Sequence, residues 1–257
     1  MLSSITSHHD PHFSYSSSSS LESLTASLTD GKTHILLAAS GSVATIKLPL
    51  IVSLLSSSST QQNLSIRILL TQSASQFLNG SSAEQPAIST LLTLPNVDAV
   101  YRDQDEWGPQ PWVRGRGVLH IELRRWADIL VVAPLSANTL AKVVGGQSDN
   151  LLTSVIRAWD TDGGIDGKRK VILVAPAMNS AMWRHPITAK QIKTLEEDWG
   201  VKRSDKDGQE EVEEVTGGWF EVVRPISKTL ACGDTGDGAM ASAETIAEII
   251  KQRLNLS

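Results

Sequence analysis

The chain has 257 residues, a formal charge of −5 at pH 7, 40% apolar and 20% charged residues, and one cysteine. That length buries a large core in one domain, and the fractions are ordinary globular values. A single thiol excludes an internal disulfide and fits a reducing compartment, cytosol or nucleus, while an acidic balance without a basic run excludes the electrostatic footprint of nucleic-acid binding.

Residues 1–30 are rich in serine and lack the compact apolar block, preceded by basic residues, of a secretory signal. A disordered tail is expected there, followed by one folded domain over 31–257. His8, His9 and His12 lie in this tail and read as incidental composition rather than a metal chelator. No stretch approaches the roughly 20 apolar residues that span a bilayer, so no membrane association is expected.

From residue 33 short apolar runs alternate with helical patterns. THILLAA, SIRILLT, DILVVAP and KVILVAP each have strand length and are apolar on both faces, as in a parallel sheet covered on each side by helices. Helices are expected over 136–144, 150–159 and 187–199, and SAETIAEIIKQRL closes the chain. The alternation predicts a doubly wound α/β fold, Rossmann-like or flavodoxin-like, in a single domain. Pro49 requires the first helix after Gly41 to kink or to start late. TDGGIDGKRK at 161–170 reads as a long surface turn, and the charged 202–218 as a solvated insertion.

In open α/β sheets, ligands bind outside the carboxyl ends of the strands. Those ends carry Ser40-Gly41-Ser42-Val43, Thr71-Gln72-Ser73, Ser136-Ala137-Asn138-Thr139 and Ala177-Met178-Asn179. Small hydroxyl and amide residues ahead of helices leave backbone donors free for a phosphate. Taken singly, Ser42, Ser73 or Asn179 reads as an N-cap worth about 1 kcal/mol to its helix. The dinucleotide fingerprint and the P-loop are both absent, which disfavours NAD and ATP and leaves a mononucleotide such as FMN.

Three histidines lie outside the tail: His34 opens the first strand, His120 begins HIELRRWAD, and His185 precedes Pro186. Any one reads first as structural; one that reached the crevice would serve as a general base. The lone cysteine and the histidine spacing supply no metal site. Cys232 stands in LACGDTGDGAM at 230–240, where glycine and aspartate predict a surface loop.

Four stretches together resemble the flavin-containing cysteine decarboxylases and the related halotolerance proteins of plants and fungi. They are LLAASGSVATIK at 36–47, residues 119–160 from LHIELRRWADILVVAPLSANTLAKVVGG onward, VAPAMNSAMWRHP at 174–186 and LACGDTGDGAM. The likeness runs from about residue 33 to 245. It implies that Gly41, Ser42, Val43, Thr71, Gln72, Ser73, Ser136, Ala137, Asn138, Thr139 and Ala177 line an FMN. It further implies His120 as the acid/base, Asn179 as the ligand of a substrate carboxylate with Met182 packed beside it, and Cys232 as a late proton donor. Thr229, Leu230 and Ala231 lead into that cysteine on the substrate side. Thr229 stands where the family often has a basic residue, with Lys228 one place earlier.

The implied reaction is decarboxylation of 4'-phosphopantothenoylcysteine in coenzyme A biosynthesis. A cysteinyl carboxylate has no adjacent electron sink; transient oxidation of CH2–SH to a thioaldehyde places a C=S group beta to it, so CO2 can leave. The resemblance also implies a homotrimer, or a trimer mixed with homologous chains. Two other readings share the scaffold: a regulatory subunit that inhibits a protein phosphatase, and a flavin prenyltransferase. His120, Asn179 and Cys232 in one chain favour the decarboxylase.

Overall fold

The computed structural model describes residues 17–57, 63–82, 84–107, 111–202, 216–229 and 235–256. Six parallel strands build the central sheet: β1 (Thr33–Ala39), β2 (Leu64–Leu70), β3 (Val97–Arg102), β4 (Ile129–Leu135), β5 (Val171–Pro176) and β6 (Phe220–Val222). Their spatial order is β6-β5-β4-β1-β2-β3. Read from the other edge it is 3-2-1-4-5-6, the doubly wound order in which the winding reverses between β1 and β4.

Helices cover both faces: α1 (Ser17–Ala26), α2 (Leu48–Ser56), α3 (Leu119–Trp126), α4 (Ala137–Val144), α5 (Leu151–Arg157), α6 (Pro186–Lys193) and α7 (Ala243–Arg253). Successive strand residues point to opposite faces. Ile35, Leu37, Ile66 and Val131 therefore pack on one side with Ile51, Leu55, Ile246 and Ile250 of α2 and α7. Leu36, Ala38, Leu130 and Val132 pack on the other with Leu123, Trp126, Leu140 and Leu152 of α3, α4 and α5. This two-sided burial explains why the four central strands are mostly apolar, with Ser65 and Arg67 of β2 and His34 of β1 as buried exceptions.

Pro49 sits at the first turn of α2, after a 3-10 turn over Val43–Lys47, so the helix starts late. The helical run from 187 becomes α6 and then a π-turn at Thr194–Asp198. The expectation of a disordered tail to residue 30 needs correction: α1 and a 3-10 turn at Ser27–Thr29 pack against the core, with Leu24 fully buried. Leu21, Leu24 and Leu28 form a helical stripe inside a serine-rich context, and all three join the α3 side of the core. Buried Arg67 on β2 holds this segment through Ser27 Oγ at 3.2 Å and lies 5.0 Å from the Trp126 ring centroid.

The 161–170 turn is pinned rather than loose. Asp160 accepts from the amides of Ile165 and Asp166, and the buried Asp166 carboxylate meets Lys170 at 3.1 Å and Arg124 at 3.4 Å. Val201–Lys202 pairs antiparallel with Thr216–Gly217, so the ends of the charged segment adjoin; residues 203–215 lie outside the described residues.

Candidate active site

Hydrogen bonds lace the four central strand ends into one edge. Ser40, fully buried after β1, donates its hydroxyl to Pro134 O at 3.0 Å and accepts from Ser136 N at 2.8 Å, which ties β1 to β4 where the winding reverses. Thr71 N bonds Ala39 O at 3.2 Å, and Ala177 N bonds Leu135 O at 2.9 Å. Ser42, Thr71, Ser136 and Asn179 each cap the helical turn that follows, accepting from Ala44, Ala74, Thr139 and Met182 N respectively. The cap after β2 is thus Thr71; Ser73 instead reaches Thr71 through its hydroxyl at 3.3 Å. Gly41 is needed by close approach, since a Cβ there would stand 2.6 Å from Ser73 Oγ.

The sequence-predicted residues Gly41, Ser42, Val43, Thr71, Gln72, Ser73, Ser136, Ala137, Asn138, Thr139 and Ala177 therefore all lie along this carboxyl edge. Val43 at 42% and Met182 at 50% exposure add apolar surface beside the polar strand ends. Such an edge suits a ligand with a phosphate at one end and a flat ring at the other.

Asn179 opens the short helix Ser180–Arg184, with Oδ1 taking Met182 N at 2.8 Å. Directly on this turn lies an antiparallel ribbon, Ile226–Thr229 with Thr235–Ala239. Met178 N bonds Gly238 O at 3.0 Å, a Cβ at Gly238 would overlap Met178 O, and one at Gly236 would overlap Ser180 Oγ. Asp237 accepts from Ser227 Oγ at 2.8 Å and Arg184 at 3.1 Å, which together hold its carboxyl below the usual aspartate value. The ribbon's pairing ends at Thr229 and Thr235, the residues flanking 230–234. Leu230, Ala231 and Cys232 lie outside the described residues.

His120 sits in the first turn of α3, and its Nδ1 meets Glu106 Oε1 at 2.6 Å. Glu106 follows the Asp103–Asp105 turn at the carboxyl end of β3. Asp103 in that turn accepts from Gln72 N at 2.9 Å and from Leu151 N at 3.2 Å, which couples the His120 region to the crevice. Among the described residues no hydrogen bond joins His120 to the Asn179 turn. His34 is structural, stacked on Trp126 at 4.5 Å and bonded to Asp30, and His185 caps α6. Among the described residues no group of three or more His, Cys, Asp or Glu is arranged to hold a metal. No described helix is long and apolar enough to cross a membrane.

Sequence reasoning missed Asp103, Glu106 and the buried hydroxyl of Ser180, which has no hydrogen-bond partner among the described residues. Only the acidic cluster in DQDE at 103–106 marks the first two, and it follows a strand too polar to be recognised.

A model of the flavoprotein family matches residues 23–255. A phosphopantothenoylcysteine decarboxylase of Arabidopsis thaliana is 40% identical over 224 residues, 87% of this chain and 86% of that protein. One of Mus musculus is 41% identical over 216 residues, 84% of each. Among solved structures, a mutant PPC decarboxylase complexed with pantothenoylaminoethenethiol is 39% identical, with a TM-score of 0.65 over 87% of this chain and 99% of that one. The FMN binding protein AtHal3 is 38% identical, with a TM-score of 0.61 over 88% and 98%. The chain belongs to the flavoprotein family and is closely related to its phosphopantothenoylcysteine decarboxylases.

Proposed function

We propose that the protein catalyses FMN-dependent decarboxylation of 4'-phosphopantothenoylcysteine to 4'-phosphopantetheine, a carboxy-lyase step in coenzyme A biosynthesis. The observation that carries this reading is the ribbon seated through Gly236 and Gly238 on the Asn179 turn at the edge of the crevice. It joins the cysteine-bearing stretch to the strand ends suited to a flavin. The residues fit FMN: Gly41 lets β1 approach the Ser73 turn, the strand ends supply donors for a phosphate, and Val43 and Met182 offer apolar surface. Bound FMN would supply a reversible two-electron oxidation of the substrate's thiol-bearing carbon.

The chain's own residues supply the rest. Capping commits Asn179 Oδ1 to Met182 N, leaving the amide N–H groups as donors for the substrate carboxylate. His120 takes the substrate thiol proton. Cys232, in the role implied by resemblance, returns a proton late in the cycle; an ordinary thiol with a pKa of about 8.5 is mostly protonated at neutral pH. The proposed assembly is a homotrimer in the cytosol, checked by sedimentation of the purified protein.

The test is to purify the protein, record its visible spectrum, and supply 4'-phosphopantothenoylcysteine while monitoring CO2. A flavin spectrum with CO2 release supports the reading. Colourless protein that cannot take up FMN and releases no CO2 would overturn it, and flavin binding without gas release would turn attention to phosphatase inhibition.

A further inference from the structure

We propose that Glu106 is the positioning residue for His120: its carboxylate holds the ring in one tautomer and stabilises the charge the ring gains on taking a proton. The inference rests on the reading of His120 as the base.

The turn that carries Glu106 is fixed before any ligand arrives. Asp103 anchors it to Gln72 and Leu151, and Asp105 accepts from Arg102 N at 2.7 Å, closing the 3-10 turn that Glu106 follows. The Glu106 side chain is 6% exposed and His120 is 21% exposed, so the pair is enclosed on the Glu106 side and open on the His120 side. Glu106 Oε1 contacts Nδ1 of His120 at 2.6 Å, whereas Oε2 is buried without a hydrogen-bond partner among the described residues.

A buried carboxylate with one empty oxygen is a poor structural element. Burying charge is costly unless it is paired, and an apolar side chain of similar size would fill the space without that cost. Among the described residues the Glu106 carboxylate is partnered by the His120 imidazole, so the arrangement is compensated best when the ring is positively charged. That state arises when Nε2 accepts a proton: the S–H bond of the substrate thiol breaks and an N–H bond forms at Nε2, while bound FMN would supply the acceptor for the hydride lost from the substrate carbon. With Nδ1–H donated to Glu106, Nε2 keeps its lone pair for this task. Trp107, Trp112 and Arg116 line a pocket beside Glu106.

The test compares wild type with Glu106→Gln, Glu106→Asp and His120→Asn by steady-state CO2 release, and reads the His120 ring by NMR of histidine labelled with 15N at both ring nitrogens. Glu106→Gln is close to isosteric. It should retain flavin and lower kcat by about 100-fold or more, with KM within about 3-fold. The neutral ring should carry its proton on Nδ1 in wild type and shift toward Nε2–H in Glu106→Gln, because an amide can donate to Nδ1. Glu106→Asp, which keeps the charge, should recover about tenfold of the lost kcat. Wild-type kcat in Glu106→Gln, or an unchanged ring tautomer, would overturn the positioning role. Full CO2 release by His120→Asn would instead overturn the base assignment and the proposal with it.

Discussion

Replacing Gly41 by alanine tests whether the crevice is shaped by how closely the end of β1 approaches the turn after β2. A Cβ at Gly41 would stand 2.6 Å from Ser73 Oγ and 2.7 Å from Ser73 Cβ, against an ordinary separation of about 3.5–4.0 Å. Rotating the hydroxyl away relieves only the first contact, so backbone must shift. The Thr71 N bond to Ala39 O and the Gln72 N bond to Asp103 resist that shift. Overpacking of this kind costs about 1–3 kcal/mol. A cost of about 2 kcal/mol falling on the flavin-bound state raises the FMN Kd roughly 30-fold. If it falls on the fold instead, Tm drops by about 2–4 °C per kcal/mol for a chain of this size. Titrating FMN fluorescence in wild type, Gly41→Ala, Ser73→Gly and the double variant separates the terms. Without the Ser73 side chain, the next atom to the new Cβ is Ser73 backbone carbon at 3.7 Å, so the double variant should recover most of the loss. Wild-type affinity and Tm in Gly41→Ala would refute the reasoning, as would a double variant no better than the single.

Leu24→Ala should cost about 2–5 kcal/mol by removing a fully buried side chain that anchors α1, seen as a lower denaturant midpoint. Asn179→Asp keeps the cap acceptor but loses the amide donors and adds a negative charge; it should leave Tm nearly unchanged while raising KM for the carboxylate substrate at least about tenfold. Asn179→Ala should lose both. Tyr101, chiefly through burial and against the opposing pull of Arg67, titrates above its ordinary value of 10.0. Its stabilising contribution is complete below the unfolded value and is lost as pH rises through the higher folded one. Urea unfolding at about pH 9 and pH 11 should show that decline, with a shallower one in Tyr101→Phe.

The readable parts of the fold are those whose burial is complete. β1, β2, β4 and β5 announce themselves because both faces are covered, whereas the edge strand β3 reads VDAVYR, with Asp98 exposed and Tyr101 buried, and β6 is three residues long. Neither offers a continuous apolar run. The α1 stripe is hidden for a different reason: serine dominates the composition while three leucines at helical spacing do the packing. At the site, strand-end hydroxyls are legible because topology requires strand ends to converge. Glu106 is not, because its contact with His120 depends on where the Asp103–Asp105 turn brings two segments 14 residues apart.

Cap and ligand readings of the strand-end residues do not compete chemically. Capping occupies an oxygen lone pair of Ser42, Thr71, Ser136 and Asn179, and each of these groups also carries N–H or O–H donors. Ser136 is the exception, since it accepts from Thr139 N and already donates its one hydroxyl proton to Thr139 Oγ1 at 3.2 Å. A side chain already fixed by its cap loses little further freedom when an anion arrives, so less of the binding energy is spent on ordering it. The features that make each residue look merely structural when taken alone are therefore those that hold the row of strand-end side chains in place along the crevice.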